Sequence, residues 1–435
     1  MGSAMTRTHL LIGPVIALAL AGCGVNPVTG EHEIQFVSEA DEVQLGEKEY
    51  APTRQSEGGD FTVLPELSAY VSEVGHKVAA VSDRKLPYEF VVLNSSVPNA
   101  WALPGGKIAV NRGLLTELHS ESELAAVLGH EVVHAAARHG AQAQERATMM
   151  SAGMQIAQVV GAVGGVDANL SSLVLQGAGV GAQLANMKYG RDDELEADQY
   201  GMKYMKAAGY DPTGAVTLQQ TFVRLAGEGG KHQDWLEGMF ASHPPSMERV
   251  EANKKTAAKL GPGGDVGAER YQARIGPLLE IKPAYDKYDA AAVAAGKGKL
   301  ADAKRLAGEA AQSVPQEGRF SQLLGEIALA EKKPEEAIGY YQKAIAASPG
   351  YFGSYLGGGV AQYRTGHADM AQQWLTQSAN LLPTAPAAYF LGNVARDKGD
   401  TETARQLYSA AATSKSDIGQ AAAAELQRLG APRNP

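Results

Sequence analysis

The chain has 435 residues, of which 44% are hydrophobic and 20% charged. This composition is typical of folded globular proteins and excludes collagen, a disordered chain and a polytopic membrane protein. At about 150 residues per domain, the length indicates two or three domains. The net charge of −9 and the lack of basic clusters exclude an electrostatic surface for nucleic acid. The single cysteine, Cys23, excludes intrachain disulfides, so any metal must be bound by histidines and carboxylates.

The N-terminus has the pattern of a lipoprotein export signal. An apolar run from Leu10 to Leu20 is too short to cross a bilayer but has the length of a signal-peptide core. The run ends in a Leu-Ala-Gly-Cys pattern at Cys23, which resembles the bacterial lipobox. We therefore predict a signal peptide over residues 1–22 and a lipid anchor on Cys23, with an ordinary signal peptide as the alternative. Because Gly24 rather than aspartate follows, we expect the protein in the periplasm, anchored to the outer membrane.

Two segments ahead of the repeats need separate interpretations. The region 147–187 is almost uncharged and long enough for two membrane spans, but its Ala, Gly, Ser and Gln content offers little apolar area. We expect soluble helices or a mobile cover there. Earlier in the chain, β-branched and aromatic runs at 88–93 and 108–110 flank turn residues and predict a small sheet.

An internal repeat occupies the C-terminal third of the chain. Its period of 34 residues is that of tetratricopeptide helical hairpins. The sequence predicts four hairpins, which together form a concave surface for peptides or partner proteins. The repeated positions are Gly325, Ala337, Tyr341, Ala344 and Pro349, followed by Gly359, Ala371, Leu375, Ser378 and Pro383.

A pair of histidines carries the main chemical signal. Ser120 begins a capping box that predicts a helix from Ser120 to His139. Within it, His130 and His134 are four residues apart, so both project from one helix face and can bind one zinc ion. Glu131 then lies beside the position of an activated water.

A hydrolytic zinc site also needs a third protein ligand and an open fourth position. Glu194, Glu196 and Asp198 on a later predicted helix are the candidates. Glu194 and Asp198 share one face, so one of them would bind zinc while the other accepts the free N–H of a ligating histidine. Glu196 is expected to face solvent. The residues alone do not decide which carboxylate binds the metal.

Several motifs follow one another along the chain. They are His130-Glu131-x-x-His134, Glu194-Leu195-x-Ala197-Asp198, Gly209-Tyr210-Asp211-Pro212, and His243-Pro244 with Arg249. Together they resemble the gluzincin peptidases that include HtpX, the CAAX prenyl endopeptidase, mitochondrial Oma-type proteases and BepA. The resemblance covers roughly residues 26–260. The segment Asn26-Pro27-Val28-Thr29-Gly30 and the repeats are most similar to BepA-type and related bacterial lipoprotein members.

The resemblance implies roles for individual residues. His130, His134 and Glu194 would bind one zinc ion, Glu131 would be the general base, and Asp198 would partner a ligating histidine. The candidate oxyanion donors are His243 and Arg249, and His243 is alternatively expected to occupy the open zinc position at rest. The predicted substrate-binding edge consists of Asn99, Ala100, Lys107, Ile108, Ala109 and Val110. The histidines expected at the surface are His32, His76, His119, His139, His232 and His367.

These features predict a mainly α protease domain with a small β-sheet, an α+β zincin-like fold, over residues 23–260. A linker over 261–282 and an all-α tetratricopeptide solenoid over 283–435 are expected to follow. The predicted function is a zinc-dependent endopeptidase that degrades misfolded or stalled envelope proteins, with the repeats binding substrates or the outer-membrane assembly machinery. The alternative is a periplasmic chaperone or assembly scaffold, and the intact zinc-binding set favours the enzyme.

Overall fold

The computed structural model describes residues 23–143, 145, 188–227 and 239–430. The predicted signal peptide and the predicted cover over 147–187 lie outside the described residues. Within the described ranges, none of the helices combines the length and the apolar composition needed to cross a membrane.

A small sheet forms the β-part of the N-terminal domain. A hairpin of β1 (Cys23–Val25) and β2 (His32–Ile34) precedes helices α1 (Glu39–Ser56) and α2 (Pro65–Ala79). The sheet itself consists of β3 (Glu89–Leu93), β4 (Ala100–Leu103) and β5 (Lys107–Asn111). Its strand order is β3-β5-β4, with β5 parallel to β3 and antiparallel to β4.

This strand order corrects the predicted substrate edge. The segment 107–110 lies in β5, whose two sides are paired with β3 and β4, so it has no free edge for an incoming peptide. The outer side of β3 is covered by the segment 59–61. The outer side of β4 pairs with no other described strand of this sheet. Lys107 is buried and forms ion pairs with Glu47 and Glu89, so its role is structural.

Six further helices of the protease domain follow the sheet in the described ranges. After the short α3 (Arg112–Leu115) come α4 (Glu121–Ala136), α5 (Arg191–Ala207), α6 (Thr213–Gly227), α7 (Met239–Ser242) and α8 (Met247–Leu260). Ser120 caps α4 by accepting the N–H of Glu123 at 3.1 Å, as the capping box predicts. Every residue of α4 is buried, because the helix lies at the centre of the domain.

Helices α4 and α5 touch backbone to backbone. A side-chain carbon added at Gly129 would lie 3.1 Å from the carbonyl oxygen of Gly201, and one added at Gly201 would lie 3.0 Å from the backbone nitrogen of His130. Only glycine fits both positions without separating the helices. The contact therefore fixes how close the side chains of α5 approach the histidines of α4.

The C-terminal region is an array of helical hairpins, as predicted. Each hairpin pairs two successive helices, and α17 (Asp417–Gly430) follows the last pair. In the repeats, Gly325 faces the ring of Tyr341 and Gly392 faces that of Tyr408, so the missing side chain makes room for the aromatic ring. The hairpin helices are α9 (Ala268–Gly296) with α10 (Leu300–Ser313), α11 (Gly318–Ala330) with α12 (Pro334–Ala347), α13 (Phe352–Arg364) with α14 (Ala368–Leu381), and α15 (Ala385–Asp397) with α16 (Thr401–Ala412).

The boundary between the two regions differs from the expected linker over 261–282. The chain is helical from Ala268 onward, and the first half of α9 packs into the protease core through Tyr271, Ile275 and Leu278. The hydroxyl of Tyr271 donates to the carbonyl of Leu115 at 2.6 Å. The helix belongs to both regions, so the protease core continues into the first repeat, whereas the later repeats have hydrophobic clusters of their own.

Polar contacts hold the repeats against the protease domain at a second place. The Gln55 side chain donates to the carbonyl of Gly350 at 2.8 Å and accepts the N–H of Phe352 at 2.9 Å. Arg319 donates to the carbonyl of Gly58 at 2.7 Å. The repeats are thus fixed to the end of α1 as well as through α9.

Candidate metal centre

Three segments bring the predicted site residues together. His130, Glu131 and His134 lie on α4, Glu194 lies in the first turn of α5, and His243 follows α7. All five side chains are buried. Ligand atoms of the three histidines and Glu194 lie within 4.8 Å of one another, which is the geometry of a metal site.

The distances within this cluster are short. The Nε2 atoms of His130 and His134 are 2.9 Å apart. Oxygens of Glu194 lie 3.6 Å from His130 Nε2 and 3.4 Å from His134 Nε2. The Nδ1 atom of His243 lies 2.9 Å from Glu194 and 3.2 Å from His130 Nε2. Two imidazole nitrogens and a carboxylate therefore converge on one point, with a third imidazole beside it.

Asp198 occupies the predicted position behind the first histidine. Its Oδ1 lies 2.9 Å from Nδ1 of His130. Since a carboxylate accepts, His130 carries a proton on Nδ1, which leaves Nε2 as the atom that would bind a metal. This is the hydrogen bond that orients a ligating histidine.

The charges of the cluster favour a cation. Burial alone would lower the pKa of His130, but Glu194 and Asp198 raise that pKa to about 10. Burial alone would raise the pKa of Glu194, but His243, His130 and Arg249 hold it well below the ordinary value. The site thus keeps Glu194 ionised and attracts positive charge to the facing imidazole. Nitrogen and carboxylate donors in this number are the set that zinc prefers, so the residues fit the implied metal.

Glu131 is not one of the residues whose ligand atoms form the cluster. Both of its carboxylate oxygens are buried and have no hydrogen-bond partner in the part of the chain that the structure describes. Burial raises the pKa of Glu131 above the ordinary value. A buried carboxylate that makes no hydrogen bond and lies beside a metal cluster has the position of a proton acceptor for water.

The position of Arg249 does not fit its predicted role as an oxyanion donor. Its Nε and Nη2 atoms donate to the Asp198 carboxylate at 2.8 and 2.7 Å, and its Nη1 atom lies 2.6 Å from Glu194. The guanidinium is therefore occupied by two carboxylates. It neutralises them rather than pointing at a reacting carbonyl.

His139 and Glu196 are less exposed than the sequence predicts. His139 was expected at the surface but is 1% exposed, and its Nδ1 lies 2.8 Å from Nδ1 of His134. Glu196 was expected to face solvent, yet its side chain is 23% exposed and lies 3.4 Å from His139. The helix period could not show this because Arg138, with a φ of 65°, interrupts the helix just before His139. Of the other five, His32, His76, His119 and His367 are exposed as predicted, and His232 lies outside the described residues.

Sequence reasoning also missed Tyr189. Its ring stacks on His134 with centroids 3.9 Å apart and planes at 21°. A cavity of about 220 Å³ beside it reaches Glu194, Pro244 and Arg249. Tyr189 thus forms one wall of an opening that leads to the metal centre.

Comparison with known proteins agrees with this geometry. Residues 65–257 match the model of Peptidase family M48, and residues 288–352 match that of the tetratricopeptide repeat. The chain contains a family M48 metallopeptidase domain followed by tetratricopeptide repeats. All the residues of the cluster lie within the matched M48 segment.

The relatives of the M48 domain are proteases. Mitochondrial metalloendopeptidase OMA1 of Schizosaccharomyces pombe is 33% identical over 52% of this chain and 63% of its own length. The beta-barrel assembly-enhancing protease of Yersinia pestis is 26% identical over 48% of this chain and 42% of its own. The chain thus matches less than two thirds of either relative. Among solved structures, a thermophilic TPR protein of Thermus thermophilus aligns over 48% of this chain and 99% of its own, at 17% identity and a TM-score of 0.31.

The charge balance around Arg249 predicts a change in stability. Arg249→Gln should lower the free energy of unfolding of the metal-free protein by about 3–5 kcal/mol at pH 7, because two buried carboxylates lose their cation. Urea denaturation in the presence of a chelator measures this. Arg191→Gln is the matched control, since its ion pair with Glu248 is exposed and its loss should have little effect.

The pH dependence of that difference follows from the same contacts. Arg249 and His130 hold the pKa of Asp198 below its ordinary value against the opposing effect of burial, and Glu194 behaves likewise. Their stabilisation is present above the unfolded pKa of about 4 and is lost as the pH falls through the folded pKa. The difference between wild type and Arg249→Gln should therefore stay nearly constant from pH 7 to about pH 4 and narrow as the pH falls below about 4. A difference that does not narrow below about pH 4 would contradict the interpretation.

Proposed function

We propose that the protein is a zinc-dependent endopeptidase of the bacterial cell envelope. The observation that carries this proposal is the buried cluster of His130, His134 and Glu194, beside which the carboxylate of Glu131 makes no hydrogen bond. The M48 match and the protease names of the relatives support it.

Each residue of the centre has a place in peptide hydrolysis. His130, His134 and Glu194 would hold one zinc ion, which supplies Lewis-acid activation of water and of the scissile carbonyl. Glu131 accepts a proton from the attacking water and returns it to the departing amine. Asp198 keeps His130 in the tautomer that leaves Nε2 free.

The outer side of β4 is the proposed binding edge for the substrate. An extended peptide paired with Ala100–Leu103 would continue the sheet as a further strand. Asn99, which precedes β4, is buried and its side chain accepts the N–H of Ala100 at 3.0 Å. Asn99 thereby fixes the start of the edge, whereas Lys107 to Val110 pair with the inner side of β4.

We propose misfolded or stalled outer-membrane proteins as substrates, because one relative is named a beta-barrel assembly-enhancing protease. The tetratricopeptide repeats would bind these substrates or the assembly machinery. The scaffold alternative requires that the envelope function survive without hydrolysis. A cell-based assay of a hydrolysis-deficient variant separates the two.

Glu131→Gln should retain zinc and the fold but lose hydrolysis, since the ligands stay while the proton acceptor is removed. Casein turnover and zinc content measure the two effects, and the same variant in cells tests the scaffold alternative. Glu194→Ala is the contrasting variant, because it removes a ligand and should lower zinc content itself. Casein turnover by Glu131→Gln at the wild-type rate would refute the mechanism. Full zinc occupancy in Glu194→Ala would shift the ligand role to Glu196 or Asp198.

His243 is proposed as the group that closes the fourth zinc position at rest. Its Nδ1 lies 2.9 Å from Oε1 of Glu194, within hydrogen-bond distance, and its Nε2 lies 3.6 Å from Oε1 of Glu131. An imidazole in this position would exclude water from Glu131. A bound peptide would have to displace it before hydrolysis begins.

His243→Ala distinguishes this latent role from the role of an oxyanion donor. If His243 blocks the centre, the variant should hydrolyse casein faster than the wild type. If His243 is the donor, kcat should fall by a factor on the order of 100 without loss of zinc. An unchanged kcat with both a short peptide and casein would exclude both roles.

A lipid anchor on Cys23 is the proposed attachment to the membrane. The mature protein should sediment with the outer-membrane fraction, and Cys23→Ser should accumulate as precursor or appear in the soluble periplasm, because no other thiol can accept lipid. Mature wild-type protein in the soluble fraction would refute the anchor.

A further inference from the structure

A series of polar contacts leads from the second zinc ligand to the N-terminal hairpin. The Nδ1 atom of His134 lies 2.8 Å from Nδ1 of His139. The Nε2 atom of His139 lies 3.4 Å from Oε1 of Glu196, and the Asn26 amide donates to the same oxygen at 3.3 Å. We propose that His139, Glu196 and Asn26 are positioning residues that orient His134 toward the metal. This inference rests on the proposed zinc site.

Metal binding by His134 fixes which atom is the donor and which the acceptor in each of these contacts. His134 must keep Nε2 free to bind a metal, so its proton lies on Nδ1 and is donated to Nδ1 of His139. His139 then carries its own proton on Nε2, the atom that lies 3.4 Å from Oε1 of Glu196. Glu196 accepts the hydrogen bond from Asn26 and faces the N–H of His139. Each side-chain nitrogen of His134, His139 and Asn26 thus has one role, as donor or acceptor, that is compatible with a metal bound to His134.

The backbone is shaped to make this contact. His139 lies beyond the end of α4, where a continued helix would turn it away from His134. The left-handed conformation of Arg138 interrupts the helix, and the ring of His139 lies against that of His134. That conformation is unfavourable for a residue with a Cβ, and it is held by donation from Arg138 to the carbonyl of Val37 at 2.6 Å and by an ion pair with Glu42.

Helix α5 supplies a carboxylate to both ligating histidines of α4. Asp198 accepts directly from His130, whereas Glu196 reaches His134 only through His139. Carboxylates behind ligating histidines fix the ring orientation and make the imidazole a stronger ligand. Each of the two histidines is therefore oriented by a carboxylate of α5, directly for His130 and through His139 for His134.

Asn26 gives a role to the Asn-Pro-Val-Thr-Gly segment, which the proposed hydrolysis does not use. Its side-chain oxygen accepts the N–H groups of Val28 and Thr29 at 2.9 and 3.2 Å, which closes the turn between β1 and β2. The amide nitrogen of the same side chain is left to donate to Glu196. One buried side chain therefore shapes the hairpin and joins it to the metal centre.

Zinc affinity of the full-length mature protein, measured by competition with a chelator, tests the proposal. His139→Leu keeps the bulk of the ring but removes the acceptor, and the dissociation constant should rise about 10- to 100-fold. His139→Asn restores an acceptor at the position of Nδ1 and should return to within about fivefold of the wild type. Asn26→Asp keeps the turn but removes the donor, and should weaken zinc binding less than His139→Leu.

Two further measurements separate positioning from general damage. The absorption spectrum of the cobalt-substituted protein should change in His139→Leu, because a reoriented His134 alters the ligand field. Tyr271→Phe removes a buried hydrogen bond far from the centre and should leave the spectrum and the zinc affinity unchanged. The melting temperature of the metal-free His139→Leu should stay close to that of Tyr271→Phe.

The outcomes distinguish the two levels of inference. A wild-type protein that binds no zinc would overturn the proposed function and this proposal together. A wild type with tight zinc binding and a His139→Leu variant of equal affinity and spectrum would overturn this proposal alone. Weakened binding that His139→Asn does not restore would show that the ring matters for packing and not as an acceptor, which also overturns it.

Discussion

The contact between Gly129 and Gly201 determines the geometry of the metal centre. At this point the backbones of α4 and α5 meet without intervening side chains. Gly129 immediately precedes His130, so the short approach brings the carboxylates of α5 within hydrogen-bond distance of the histidines. A methyl group at either glycine would require the two backbones to move apart by a few tenths of an ångström. The centre thus depends on two residues that carry no side-chain chemistry.

The part of the site that lies on one helix was predictable. His130 and His134 share a helix face by their spacing, and the helical period alone establishes that. Choosing among Glu194, Glu196 and Asp198 required knowledge of how α5 packs on α4, which no local pattern contains. The resemblance to a family supplied that information. The geometry agrees with it, since Glu194 lies among the ligand atoms and Asp198 behind His130.

The predictions that were wrong concern residues whose position depends on the local backbone conformation or on the order of the strands. His139 was misplaced because Arg138 adopts a left-handed conformation that its sequence does not indicate. The substrate edge was misplaced because β5 follows β4 in sequence but lies between β3 and β4 in the sheet. The expected linker was too long because the glycines at 261–264 end one helix, whereas Tyr271 and Ile275 already belong to the next buried face. In contrast, the repeats were predicted well, since each hairpin buries residues at fixed sequence intervals.

The N-terminal hairpin has a consequence for where the enzyme can act. Asn26, which contacts the carboxylate behind the metal centre, is only three residues from Cys23, and three extended residues span at most about 11 Å. With Cys23 acylated as proposed, the catalytic domain has no stalk and rests directly on the bilayer. Its orientation relative to the membrane plane is then set by the hairpin rather than by a flexible tether. Chains emerging at the membrane surface would come within its reach, whereas those free in the bulk periplasm would have to diffuse to it.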